Sequence, residues 1–493
     1  MAPLIVLLPI VPALVAALIA TVGWRPATMW LPTVSCLTTI GFGIAVAVHV
    51  VDNGPVTTVA GQFRVDAVSS LMVVLIGVVG TISSVYSVAY LRTELTTGST
   101  TPQRARLFAA LMQLTIAAMC VVVIADNLGV LWVAIETTTI ATVLLVGHRR
   151  DRTSVEASWK YLVLGSVGVA TALMGTVLVY FVSRHSGGDA STALNWSSLV
   201  ARAPHLDPGA MRVAIGFVIV GYGTKAGLAP LHSWLPDAYS QAPAPAAALM
   251  AGVLSTMPMY ALLRFKVIAD IALGPHYART LLLIAALMSL LTAASLMVTQ
   301  RDYKRLLAYS SVEHMGLIAL AAAIGSPLAM VAALLHMIGN GLAKSVAFST
   351  TGEMLFATGT TRIDGIRGLL HQRPFIAATF GVSLLALLGL PPFSILASEI
   401  AIVRAGVDDG LAWALAIALV LMLAIFTAVL VHVLNMLAGS GGESTIPHGS
   451  APHVTSLTAR IPLVAGLIMA AAIGITIWPI SKLLHTAAEV LAR

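Results

Sequence analysis

Apolar residues run in long blocks along this chain, and polar ones are confined to the short gaps between them. Blocks long enough to cross a bilayer lie near 4–22, 30–50, 67–90, 107–125, 128–147, 161–182, 211–229, 245–263, 280–298, 305–324, 328–356, 375–400, 411–437 and 461–484. At about 20 residues per span, this pattern predicts an all-α polytopic membrane protein of about fourteen transmembrane helices. Numbered in chain order, span 7 meets Pro230, which removes a backbone donor and breaks a helix. Spans 11 and 12 are long and carry Gly339 with Gly341 and Pro391 with Pro392, so each is expected to be interrupted. Leu4 to Val22 lacks a basic leader and a small-residue cleavage site, which predicts a retained first span.

Composition and charge sharpen this picture. The chain has 493 residues, 58% of them hydrophobic and 10% charged, which excludes a soluble fold. Its mean hydropathy is +0.94. The net charge of +7 needs no nucleic acid, because the basic residues cluster on one side. Connections after odd-numbered spans hold Arg25; Arg92, Arg104 and Arg106; Arg149, Arg150 and Arg152; Arg301; and Arg362, Arg367 and Arg373. The other connections hold Asp52, Asp126, Asp408 and Asp409, with Arg264 and Lys266 as the main exceptions. The positive-inside rule then predicts a multi-pass protein of the inner or plasma membrane with both termini outside. The connections 184–210 and 438–459 are expected to be plain surface loops, with 447–452 the least ordered. Cys36 and Cys120 stand alone, and no CxxC, GxGxxG, HExxH or P-loop pattern occurs, so no disulfide, metal or cofactor is expected.

Candidate chemistry lies in the charges that interrupt apolar blocks. An ionisable side chain in a membrane span costs about 2.5–3.5 kcal/mol even on the lenient insertion scale, so it is a functional candidate. Lys225 sits just before the break at Pro230, and a broken helix at membrane depth lines a wet cavity or packs in protein. His232 and Asp237 follow in the same stretch. Glu136 stands mid-span in LWVAIETTTIATVLLV, and Lys225 is its natural partner. Burial disfavours the charged form of each, so a change in their separation loads or releases a proton. His336, Asn340 and Lys344 follow an i, i+4, i+8 spacing and share one helical face, a polar stripe toward the bundle interior. Glu399, seven residues after Pro392, is a terminal carboxylate of the second half or a partner for Arg404. Glu313 and His314 are adjacent, so only one need face a pathway. Lys304 is a candidate pathway residue whose plain reading, as part of RDYKR, is an interfacial or cytoplasmic loop charge, and Glu353, at a helix end, fits either a structural or a pathway role.

A faint internal repeat organises these residues. GLAPL at 227–231 is similar to GLPPF at 389–393, one in span 7 and one in span 12. Spans 4–8 and 9–13 become two five-helix units, and an odd number of spans per unit inverts one relative to the other. Span by span, Glu136 is then matched with the neighbourhood of Glu313 and His314. The expected divisions are 1–106 for the first three spans, 107–264 and 265–437 for the two units, and 438–493 for a loop and span 14.

KAGLAPLHSWLPDAYSQAPAPAAALMAGVL, RDYKRLLAYSSVEHMGLI, HMIGNGLAKSVAF and GLPPFSILASE, in this order, resemble the antiporter-like proton-channel family of respiratory complex I and membrane-bound hydrogenases. The resemblance spans about residues 65 to 435, and SSVEHMG at 310–316 is most similar to the hydrogenase-4 component F type. It implies a fourteen-helix fold with two inverted channel units joined by a hydrated axis. By motif position it implies that Glu136 and Lys225 form the ion pair of the first unit. His336 and Lys344 match the relay in span 11, and Glu399 matches the terminal residue in span 12. Two positions depart from the pattern. Thr256 stands where many members have a lysine or histidine, and Asn340 where a second histidine is common. Neither holds a proton as a charge at neutral pH, so a link between the units depends on water. The chain also stops soon after span 14, which predicts that the long lateral helix of the largest members is lacking. The implied function is proton translocation in a hydrogenase-type or complex I-like assembly, with membrane and redox subunits as partners and no catalytic step in this chain. A cation/proton antiporter subunit, moving protons or sodium, is the alternative.

Overall fold

The computed structural model describes residues 1–439 and 454–492; the expectation about 447–452 lies outside the described residues. Among the described residues, twelve helices are long and apolar enough to cross a membrane. Spans 7 and 12 complete the expected fourteen, because each is split into two shorter helices. Span 7 consists of Pro208–Ala226 and Trp234–Gln241, and span 12 of Pro374–Leu387 and Ser394–Asp408. The protein is a multi-span helical membrane protein.

Short polar residues at the gaps start the helices. Asp66, Asp151, Asp207 and Asp302 each accept a hydrogen bond from a backbone N–H in the first turn of the helix that follows. Such a cap satisfies donors that the bilayer cannot. Proline within the first two positions opens several others, among them Pro102–Ile124 and Pro327–Thr358, where its missing N–H costs nothing.

The two broken spans share one local design. In each, a helix ends, a glycine takes the left-handed conformation (Gly227 at φ +86°, Gly389 at +66°), and a cis X–Pro bond follows, Ala229–Pro230 or Pro391–Pro392. At Gly227 a Cβ would also strike the Leu235 side chain. Backbone groups freed by the first break find partners. Trp234 Nε1 donates to the Thr224 carbonyl at 2.9 Å, and Ala229 N donates to Ser289 Oγ of span 9 at 2.9 Å.

Span 11 departs from expectation: Pro327–Thr358 is one continuous helix. Its glycines make close approaches, not a break. A Cβ on Gly341 would lie 2.8 Å from the Gly252 carbonyl oxygen of span 8, and one on Gly339 would lie 2.6 Å from Ser394 Oγ of span 12. Span 8, Ala244–Leu273, carries a π-helical turn over Met250–Leu254 at the crossing with span 11. Span 14 also differs. It ends at Ile475 and is followed by a separate short helix, Trp478–Leu491, which packs through Leu484, Ala487, Ala488 and Leu491.

The connection 184–210 is not a plain loop. It contains the helix Trp196–Arg202, whose Trp196 is buried and donates from Nε1 to the Arg264 carbonyl at 2.9 Å. Arg264 is clasped there by Asp66 through two hydrogen bonds of 2.7 Å, Nη1 to Oδ2 and Nη2 to Oδ1. Ser69 Oγ (3.1 Å) and Tyr260 OH (2.9 Å) also accept from its Nη2. Lys266 pairs with Asp270 one turn on. Both exceptions to the loop-charge pattern are therefore internal ion pairs, not loop charges.

Spans 6 and 7 touch along a seam of small residues. A Cβ on Gly221 would fall 2.7 Å from Ala172 Cα and 2.7 Å from the Gly168 carbonyl oxygen. Gly221→Leu is expected to destabilise the purified chain by about 1–3 kcal/mol through overpacking, read as a lowered thermal midpoint in detergent. Gly41, with nothing near its Cβ position, serves as the control, and Gly41→Ala should leave the midpoint unchanged or raised. Equal behaviour of the two variants would contradict the packing described here.

Candidate functional site

The first cluster gathers on spans 5, 6 and 7. Lys225 is 2% exposed and closes the first piece of span 7. Its Nζ donates to Tyr161 OH at 2.7 Å and lies 4.4 Å from the Tyr161 ring centroid. Tyr161 OH is in turn 2.8 Å from Thr142 Oγ1, and its ring stacks on Trp234 at 4.6 Å. Glu136 is held separately, its Oε1 accepting from Ser166 Oγ at 3.2 Å. Its Oε2 is buried without a hydrogen-bond partner among the described residues. The two expected partners do not form a direct ion pair. Two side chains of span 6 hold them instead, one each, and the carboxylate acts on the ammonium through space.

His232 and Asp237 do not join this cluster. Beyond the break, His232 is half-buried near Tyr309 at 6.5 Å between ring centroids. Asp237 ties spans 6, 7 and 10 together, accepting from Lys160 at 3.2 Å and Arg305 at 3.1 Å.

The second cluster lies on spans 10, 11 and 12. Lys344 Nζ donates to the Leu307 carbonyl and to Ser310 Oγ, both at 2.7 Å. His314 Nδ1 and His336 Nε2 are 3.0 Å apart, and His336 Nδ1 is 2.9 Å from Ser398 Oγ. This chain of three polar side chains ends beside Glu399. The Glu399 carboxylate lies in the notch left by Gly389 and lines a cavity of about 270 Å³ with Leu317, Leu320 and Met422. Arg404 is exposed and does not pair with it. Glu313 is buried and acts through space on both Lys344 and Glu399. Asn340, between His336 and Lys344 on the same face, has no partner for either amide atom among the described residues.

A third group, on the arginine-rich face, corrects the reading of Lys304. That residue is 1% exposed, not a loop charge, and its Nζ has no hydrogen-bond partner among the described residues. Around it stand Glu94 and Arg149. His148 meets Glu94 at 3.5 Å, Arg149 donates to Tyr90 OH at 3.2 Å, and Tyr86 OH donates to Glu353 at 3.2 Å.

The first two clusters sit inside a recognised unit. The family model described as the transmembrane region of NADH:quinone oxidoreductase/Mrp antiporter proteins matches residues 125–427. The chain belongs to this family. Both broken spans and both lysine clusters fall within the match. Among relatives of this antiporter family, the hydrogenase-4 component F homolog of Methylacidiphilum infernorum is 36% identical over 419 residues, covering 85% of this chain and 86% of that protein. NADH-quinone oxidoreductase subunit N of Desulforudis audaxviator is 32% identical over 334 residues, covering 67% of this chain and 64% of that protein. Two solved structures share the fold. A chain of the membrane-bound sulfane sulfur reductase, an archaeal respiratory membrane complex, superposes with a TM-score of 0.85 at 23% identity, covering 100% of this chain and 98% of that one. A chain of the Mrp complex from Dietzia gives 0.83 at 20% identity, covering 99% and 97%.

Within this antiporter-family fold, Tyr161, Ser166, Ser310 and Ser398 were not singled out from the sequence. One signal points to Tyr161 and Ser166. The repeat matches span 6 with span 11, so a polar stripe on span 11 predicts polar side chains on span 6.

Proposed function

We propose that this chain is the proton-translocating membrane subunit of a hydrogenase-type or complex I-like respiratory assembly. Partner subunits carry the electrons, and residues 107–264 and 265–437 act as the two channel units. The observation that carries this reading is the pair of buried lysines, each held only by neutral oxygens at 2.7 Å. A buried ammonium without a contacting counter-ion is costly, and lysine is a side chain that can hold and pass on a proton. In the first unit Tyr161 takes the hydrogen bond of Lys225, and Glu136 tips the balance through space. In the second, a proton moves between the nitrogens of His314 and His336 and the Ser398 hydroxyl toward Glu399. Between the units, Thr256 Oγ1 is occupied by the Val253 carbonyl at 2.6 Å. The free amide of Asn340 is the group that can order water there. The arginine-rich face is cytoplasmic in this reading, with both termini on the outer side of the cell membrane. The similarity to a hydrogenase-4 component F homolog supports the hydrogenase branch.

Gentle purification of the tagged protein from its own membranes, with partners identified by mass spectrometry, tests the assignment. Recovery of a hydrogenase-like large subunit and iron–sulfur proteins is expected. Recovery with small membrane proteins alone, together with sodium-dependent proton flux in vesicles given no electron donor, would replace it with the cation/proton antiporter reading.

A further inference from the structure

We propose that the hollow formed by the end of span 13 and the loops bearing Arg301 and Arg367 binds an anionic phospholipid, with its headgroup in the hollow and an acyl chain in the groove beneath. The hollow has a volume of about 220 Å³ and is lined by Gln300, Arg301, Asp364, Arg367, His432 and Asn435. The groove, of about 500 Å³, runs along span 13 from Val420 through Leu423 and Val431 and is closed on one side by Val298 of span 9. His432 lines both, so they form one continuous site with a polar head and an apolar tail.

The charges in the hollow are arranged for an anion. Asp364, the acidic residue of the lining, is taken by Arg362 through bonds of 2.6 and 3.0 Å. Arg301 and Arg367 line the hollow with no contacting ion-pair partner among the described residues, and Asp364, already held by Arg362, meets Arg301 only through space. The frame that carries Arg301 is fixed. Ile363 N donates to the Arg301 carbonyl at 2.9 Å, and Tyr303 N donates to the Thr361 carbonyl at 3.1 Å. His432 is 3.2 Å from the Met297 carbonyl through Nε2, which pins the junction of hollow and groove to the end of span 9.

The groove has the dimensions and exposure of a lipid-chain site. From Val420 to His432 the helix rises by about 18 Å at 1.5 Å per residue, against about 15 Å for the hydrocarbon of one leaflet. Val420 and Leu423 are 68% and 66% exposed, so the groove is open along its length. A basic pocket between spans at the cytoplasmic surface is the kind of site that selects acidic headgroups. A free phosphate would use the arginines but gain nothing from the groove, and a neutral lipid would use the groove alone.

The test uses the full-length chain in its native complex, stripped of lipid, with phosphatidylglycerol or phosphatidylcholine added back and bound lipid counted by native mass spectrometry. With two arginines in the hollow and its one carboxylate among the described residues taken by Arg362, the wild type is expected to prefer phosphatidylglycerol by about tenfold. Arg301→Gln/Arg367→Gln should lose that preference, and Leu423→Trp, which fills the groove and keeps the charges, should lower occupancy by both lipids. An unchanged preference in the double variant would overturn the proposal. So would Leu423→Trp with undiminished phosphatidylglycerol, since the anion would then be held as a free phosphate is. A photo-crosslinking residue at 423 that captures a protein subunit in place of lipid would assign the groove to a partner helix and overturn it as well.

Discussion

Lys225→Ala is expected to lower proton movement coupled to the assembly's electron donor by at least about tenfold, while the chain stays in its complex. The ammonium is the proton-holding group of the first cluster, and alanine cannot carry a proton. Folding should survive, because removing a charge from an apolar interior also removes its desolvation penalty. Tyr161 keeps its contact with Thr142 at 2.8 Å, so the lost donor leaves no orphaned hydroxyl. Two companions separate a carrier from a fixed cation. Lys225→Arg keeps the positive charge opposite Glu136 but does not release a proton, so it should assemble normally and still fail to pump. Tyr161→Phe leaves the ammonium without its acceptor and should give a partial loss. Acidification of inverted vesicles, followed with a pH-sensitive dye, reads all three. Pumping at the wild-type rate in the alanine variant would remove Lys225 from the pathway.

The second large effect concerns stability. Arg264→Met is expected to destabilise the purified chain by about 3–5 kcal/mol, because it strands the buried Asp66 carboxylate. Arg264 also lies over Trp196 at 4.6 Å and is tied to it through its own carbonyl. The loss should therefore loosen the helix Trp196–Arg202 as well, seen as faster amide exchange there. Asp66→Asn combined with Arg264→Met removes both charges and should recover most of the lost stability. Thermal unfolding in detergent gives the comparison. A double variant no more stable than Arg264→Met would show that the arginine acts through packing and not through its charge.

What could be read from the sequence follows from how strongly each feature departs from an apolar background. Lys225, Glu136 and the His336–Lys344 stripe stand out because few charges interrupt those blocks, and Pro230 and Pro391 mark breaks because each follows a glycine in a GLxP motif, whereas Pro9, Pro12 and Pro462 are carried inside unbroken helices. Hydroxyls give no such contrast. Tyr161 and Ser398 look like ordinary helix residues until the fold sets them 2.7 Å from Lys225 and 2.9 Å from His336. Chain proximity misled at Asp237, which follows Lys225 closely, yet the break carries it to a surface ion-pair network. Gly339 and Gly341 misled in the opposite sense. Local sequence cannot distinguish a glycine that weakens a helix from one that lets two backbones meet. Lys304 read as a loop charge because its neighbours Arg301 and Asp302 are polar. Only the folded structure shows that it is buried.

The π-helical turn over Met250–Leu254 sets a length constraint on span 8. Such a turn holds one residue more than an α-helical one, and each residue advances a helix by about 100°. Everything after it, Tyr260 and Arg264 included, is therefore phased differently from everything before it. Deleting a single residue in 250–254 would restore an ordinary helix, leave the contact of Gly252 with Gly341 out of step, and turn Arg264 away from Asp66. The span thus carries two addresses, one written for span 11 and one for the clasp with Asp66. The extra residue is the spacer that lets one rod serve both.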